Sequence, residues 1–182
     1  MNRLFYPKLA AQNLRKNANT YFPYILTCIC TVAAFYILNS LSHNPGIDSL
    51  PGGPSFQSIL FMAVFIIAVF SLIFLFYTNS FLIKRRKKEL GLYSVLGMEK
   101  RHIARMMFYE TVYVAVLGLG LGLAFGVLLD KLMYLLLLRL MGYVTGFAHE
   151  ISYSSMGVTC MVFGVIFILT LLTNLWSIKI SN

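Results

Sequence analysis

Acidic side chains are scarce in this chain: Asp and Glu total 6 of 182 residues against 15 Lys and Arg, and charged residues of both signs make up only 12%. Soluble domains carry roughly twice that share of charge, and with 59% hydrophobic and 15% aromatic residues a water-soluble globule and a disordered tail are both excluded. The 3 cysteines are too few for a disulfide scaffold, and none falls in a segment read as an outer loop. Nucleic-acid binding does not follow from the net charge of +9, because the positive charges lie in short runs beside apolar segments and line no aromatic groove. No Walker A pattern, nucleophile elbow or metal-binding helix occurs, so neither catalysis nor a directly bound cofactor or metal is expected.

What is present is a set of long windows free of charge. The most apolar part of the first, 21–41, has 21 residues; 56–83 has 28, 111–129 has 19 and 151–178 has 28. About 20 apolar residues cross a bilayer, and a central charge costs about 2.5–3.5 kcal/mol on insertion. The fold expected is therefore an all-α integral membrane protein with four transmembrane helices. The 28 residues of 56–83 would measure about 42 Å as a helix against a core of about 30 Å, which requires tilt or projection.

Thirteen of the fifteen positive charges fall before the first window, between the second and third, or after the fourth; Lys131 and Arg139 are the exceptions. The positive-inside rule then places both termini in the cytoplasm. The basic leader followed by an apolar stretch reads as an uncleaved anchor rather than a signal peptide. Segment 1–20 reads as a cytoplasmic amphipathic helix on the inner leaflet, with Leu4, Ala11 and Leu14 near one face. The outer loop 42–55 holds Pro45-Gly46 and Pro51-Gly52-Gly53-Pro54, a series of turns too short for a domain. In 130–150 an apolar pattern continues past Asp130 and Lys131 to Leu140, either extending the third helix or forming a short interfacial one ended near Gly142; 179–182 is a short cytoplasmic end.

The segment 84–110 is the richest in signals. Lys84, Arg85, Arg86, Lys87 and Lys88 form a basic collar suited to anionic lipid headgroups. Leu90, Leu92, Tyr93, Val95 and Leu96 then offer an apolar surface on a short helix, Gly97 suits a left-handed stop, and Glu99 complements the start of the next helix. An interfacial loop lying on lipid is the plain alternative, yet such a loop needs neither the stop nor the tyrosine. From Lys84 to Glu110 the chain resembles the core of the FtsX-like ABC transporter permeases, on its basic patch, Glu89-Leu90-Gly91-Leu92, Leu96-Gly97 and a helix re-entering the membrane. With its short outer loop between the first two spans, the arrangement is similar to the N-terminal part of the bacitracin-resistance permeases of that family. The resemblance implies that Glu89, Leu90, Gly91, Leu92, Tyr93, Leu96 and Gly97 contact a separate cytoplasmic ABC ATPase, which supplies all ATP chemistry. It further implies a bacterial plasma membrane location, export or detoxification of an antimicrobial peptide or lipid-linked substrate, and a remaining permease half or second copy to complete the pathway. The rival expectation is a non-transport adaptor that holds a kinase, such as a sensor histidine kinase.

Gly118, Gly122 and Gly126 recur every four residues, a stripe on which another helix can pack closely. Cys28 and Cys30, about 200° apart on a helix, cannot share an ion, and Cys160 lies in another window, so all three read as small apolar residues. His43, Asp48, His149 and Glu150 read as solvated loop residues. Glu110, at the mouth of the third span, is expected to pair with Arg105 or with a partner subunit, and Asp130 and Lys131 to sit at the opposite interface.

Overall fold

In lipid every backbone N–H and C=O must find its partner within the segment, and the apolar windows accordingly form continuous helices. The computed structural model describes residues 5–44, 47, 52–95, 100–140 and 152–180, without the side chains of 5, 87–90, 93–95, 100 and 177–180. Among the described residues there are five long helices and no strand: α1 (Phe5–Lys16), α2 (Ala18–Ser42), α3 (Gly53–Val95), α4 (Lys100–Leu140) and α5 (Tyr153–Ile180). Four of them, α2 to α5, are long and apolar enough to cross a membrane.

Two helices outrun the windows that announced them. α3 has 43 residues and α4 has 41, each about 60 Å long at 1.5 Å per residue. The basic run from Lys84 therefore continues the second span without a break, and Leu132 to Leu140 extends the third helix rather than forming a separate one. Gly97, Gly142 and the loop acids Asp48 and Glu150 lie outside the described residues, as does His149.

The centre of the bundle is α2. Half of its apolar window is buried, against 17%, 22% and 28% for α3, α4 and α5, and it packs chiefly between α3 and α4, with α5 closing the third side. Tyr21, Tyr24, Cys28, Val32 and Phe35 meet Leu75 and Leu82 of α3, Val114 of α4, and Phe163, Ile166 and Phe167 of α5 in one core; the Phe35 and Phe163 rings meet edge to face at 5.7 Å. A smaller cluster of Leu41, Ile47, Leu60, Tyr134 and Leu138 closes the other end. Outward, α3 exposes Phe61, Phe65, Phe70, Phe74 and Tyr77 around much of its circumference, which suits lipid chains.

On α4 nine buried positions recur every four residues, Met106, Glu110, Val114, Gly118, Gly122, Gly126, Asp130, Tyr134 and Leu138, with Ile103 and Met107 buried beside the start of the row. The facing row on α2 is Tyr24, Cys28, Val32, Tyr36 and Ser40, with the same period. Rows of this kind on both partners are ridges of the i±4 class, and parallel helices keep them in register. Cys28 faces Gly118, Val32 faces Gly122 and Tyr36 faces Gly126; a Cβ added at these glycines would stand 2.8, 2.6 and 2.9 Å from the facing side chains. Hydrogen in place of a side chain is what lets the two backbones approach, as in small-residue interfaces generally. Gly120, between them, faces open space.

α1 turns off α2 at Asn17, whose N–H still bonds Asn13 O at 2.9 Å. The face it buries is Tyr6, Ala10 and Asn13, packed on the base of α4, while Lys8, Ala11, Gln12, Arg15 and Lys16 are exposed. Of the face expected to lie on the inner leaflet, Ala11 is exposed and Leu14 is packed against the core, while Leu4 lies outside the described residues; the Asn13 amide finds its partners on α4.

Candidate functional site

Where α1, α2, α3 and α4 converge, two charges are held out of solvent. Arg86 on α3 and Glu110 on α4 are 4% and 3% exposed. The Arg86 guanidinium pairs with Glu110 through both ends: Nη1 donates to Oε2, and Nη2 donates to Oε1 at 3.2 Å. The Tyr21 hydroxyl of α2 donates to Oε2 at 2.9 Å, and the Asn13 amide of α1 donates to Oε1 at 3.3 Å. Nη1 also donates to the Tyr21 oxygen, and the guanidinium lies over the Tyr21 ring at 5.3 Å. Each carboxylate oxygen thus accepts at least two donors, the condition under which a charge in a low-dielectric interior is tolerated. Three other helices are thereby fastened to one acid on α4.

This corrects two readings. Arg86 does not join the headgroup collar: its long stem turns inward because Glu110 offers a fixed counter-charge in a buried site. Glu110, for its part, takes Arg86 rather than Arg105, which is exposed and lies with its guanidinium 5.8 Å from the Tyr6 ring. Lys84 and Arg85 remain exposed, Arg85 over the Phe81 ring at 4.6 Å; the side chains of Lys87 and Lys88 lie outside the described residues.

Seven residues before Arg86, about two helical turns, α3 presents Asn79 on the same inward face. Asn79 and Asn174 of α5 exchange amide hydrogen bonds, Nδ2 to Oδ1 at 2.6 Å and back at 3.2 Å, and both are 4% exposed. At the far end of the α2·α4 row the Ser40 hydroxyl donates to Asp130 at 2.6 Å, and Asp130 is 1% exposed. Asp130 is thus buried between helices, because its position continues the four-residue stripe of α4 that faces α2.

The sequence of buried positions on α3, Ser71, Leu75, Asn79, Leu82 and Arg86, follows the alternating three- and four-residue steps of a helix stripe. Polar residues at three of its five positions, Ser71, Asn79 and Arg86, are the signal; Arg86 is masked in the sequence by standing third among five bases. Of the residues expected to meet an ATPase, Gly91 and Leu92 are exposed on α3. Glu89, Leu90 and Tyr93 are on the same helix with side chains outside the described residues, and Leu96 and Gly97 lie outside them altogether. Cys28 is buried on Gly118, whereas Cys30 and Cys160 are exposed. Among the described residues no group of three or more His, Cys, Asp or Glu could hold a metal.

Four apolar helices with a mainly apolar core, a few buried polar contacts and a lipid-suited exterior define a multi-pass membrane protein. Residues 61–182 match the FtsX-like permease C-terminal family, and the chain belongs to that family. It is similar to the bacitracin export permease protein BceB of Bacillus subtilis (strain 168), at 30% identity over 94% of this chain and 27% of that protein. It is likewise similar to the BceB protein of Halalkalibacterium halodurans, at 29% identity over 94% of this chain and 26% of that one. The ABC transporter permease YvcS of B. subtilis is 27% identical over 94% of this chain and 27% of its own length. The chain thus spans about a quarter of the length of these relatives.

Proposed function

We propose that this chain is a permease portion of an ABC transporter that couples a separate ATPase to removal of an antimicrobial peptide or lipid-linked substrate. The observation that carries the reading is that α3 runs unbroken from its membrane window through the buried Arg86 to the exposed Leu92. A force applied by an ATPase to Glu89, Leu90, Gly91, Leu92, Tyr93, Leu96 and Gly97 would act on one end of a lever whose shaft is pinned to α4, α2 and α1 at Glu110. The α2·α4 row, packed backbone to backbone at Gly118, Gly122 and Gly126, is suited to move as a single body with that pin. Lys84 and Arg85, exposed just outside the pin, suit anionic headgroups and set the depth of the lever in the bilayer. The substrate class rests on the two relatives named as bacitracin exporters.

Co-purification tests the reading. The chain expressed in its native host should retain an ABC ATPase through detergent extraction, and Tyr93→Ala combined with Leu96→Ala should abolish both that association and ATP-dependent resistance. Unchanged association in the double variant would show that the segment is not the ATPase contact.

A further inference from the structure

Between the ion pair and the asparagine pair lies a cavity of about 20 Å³, lined among others by Tyr24, Asn79, Arg86, Glu110, Thr111 and Asn174. A water molecule needs roughly 10–15 Å³ of such space and two to four polar partners, so this cavity is sized for about one. Its wall is mostly apolar, from Leu82, Ile83, Met107 and Val114, but a few polar groups with unused hydrogen-bonding capacity border it. The Tyr24 hydroxyl, on a residue 3% exposed, makes no hydrogen bond to nitrogen or oxygen; the Cys28 thiol one turn along is a weak acceptor. The reciprocal amide bonds use one N–H and one lone pair of Asn79 and of Asn174, which leaves each amide one further donor and one further acceptor site. A sulfur is a poor partner for a hydroxyl, and a buried hydroxyl with its demand unmet costs about 1–3 kcal/mol, part of which a water would recover.

We propose that this cavity is a binding site for a single water molecule, with the Tyr24 hydroxyl as one partner and the Asn79–Asn174 amides as the others. The chemistry of the walls selects a neutral ligand. A cation would face the guanidinium of Arg86, an anion would face the carboxylate of Glu110, and the two charges already neutralise one another. The bound water joins the asparagine pair of α3 and α5 to the hydroxyl of α2. With the Arg86–Glu110–Asn13 set beside it, one layer of polar contacts then links all five helices.

The site is testable without knowledge of substrate or ATPase. The full chain, labelled with ¹⁵N-asparagine and held in phosphatidylglycerol–phosphatidylcholine nanodiscs, is examined by NMR for direct magnetisation transfer from water to the side-chain amide protons of Asn79 and Asn174. Transfer at short mixing times is expected in the wild type. It should fall about five-fold in Tyr24→Phe, the effect of losing one hydrogen bond of ordinary strength on occupancy. Absence of transfer to both amides in the wild type would mean a dry cavity and overturn the proposal. Equal transfer in wild type and Tyr24→Phe would overturn the role of the hydroxyl. The wild-type measurement stands on its own should the variant fold poorly.

Discussion

Glu110 accepts hydrogen bonds from three side chains carried by three different helices, and it does so where both it and Arg86 are buried away from bulk solvent. Removing one member of such a pair strands the other charge, which costs about 3–5 kcal/mol, whereas replacing both by apolar residues of similar volume is often close to neutral. Glu110→Ala is therefore expected to lower stability by about that amount in thermal unfolding of nanodisc-held protein, and Arg86→Met with Glu110→Leu to recover most of it. If the double replacement were as unstable as the single one, the pair would owe its value to the hydrogen bonds of Tyr21 and Asn13 rather than to charge. At this scale the sequence was half legible. Glu110 is conspicuous as an acid at the mouth of an apolar window, but Arg86 is one of five adjacent bases, and only the phase of α3 separates the one that turns inward.

A row of nine buried positions at four-residue spacing makes α4 an element with one continuous face, and the glycines in it were visible from their spacing alone. Their partner was not: nothing in the sequence says that Cys28, Val32 and Tyr36 are the side chains that fill the groove, since those pairs lie ninety residues apart along the chain and only packing brings them together. Gly122→Leu should drive a side chain into Val32 and the Ile29 carbonyl, where an added Cβ already meets atoms at 2.6 to 3.2 Å. Overpacking of this kind costs about 1–3 kcal/mol, and it should impair assembly or the proposed coupling to an ATPase. Gly120→Ala, whose Cβ meets nothing within 4 Å, should leave unfolding temperature and function unchanged or slightly raise the former through helix propensity. Equal damage from both substitutions would show that helix flexibility, not the α2·α4 contact, is what the glycines provide.

Taken as one body, the molecule concentrates its exposed bases at a single end: Lys8, Arg15 and Lys16 on α1, Lys84 and Arg85 on α3, and Arg101 and Arg105 on α4. The contacts Tyr6–His102 and Arg86–Glu110 tie these three segments to one another, whereas Lys131 and Arg139 lie at the opposite end of α4. This asymmetry predicts a cytoplasmic α1 end. In a variant with its three native cysteines replaced by alanine or serine, a cysteine introduced at His43 should react with a membrane-impermeant maleimide in intact cells. One introduced at Lys8 should react only after the membrane is opened. The reverse pattern would invert the orientation and with it the side from which an ATPase could reach Leu92.

Span number and approximate span positions follow from the sequence by itself, because the cost of a charge in hydrocarbon is large and local: a window either carries Lys, Arg, Asp or Glu or it does not. The four-residue glycine repeat is legible for the same reason, being a property of neighbours on one helix. Tertiary structure decided which ionisable groups leave the surface. Arg86 and Asp130 are buried, and Glu110 chooses Arg86 over Arg105, because a charge is tolerated inside only where donors from other helices converge on it, and that convergence is set by how α1, α2 and α3 pack against α4.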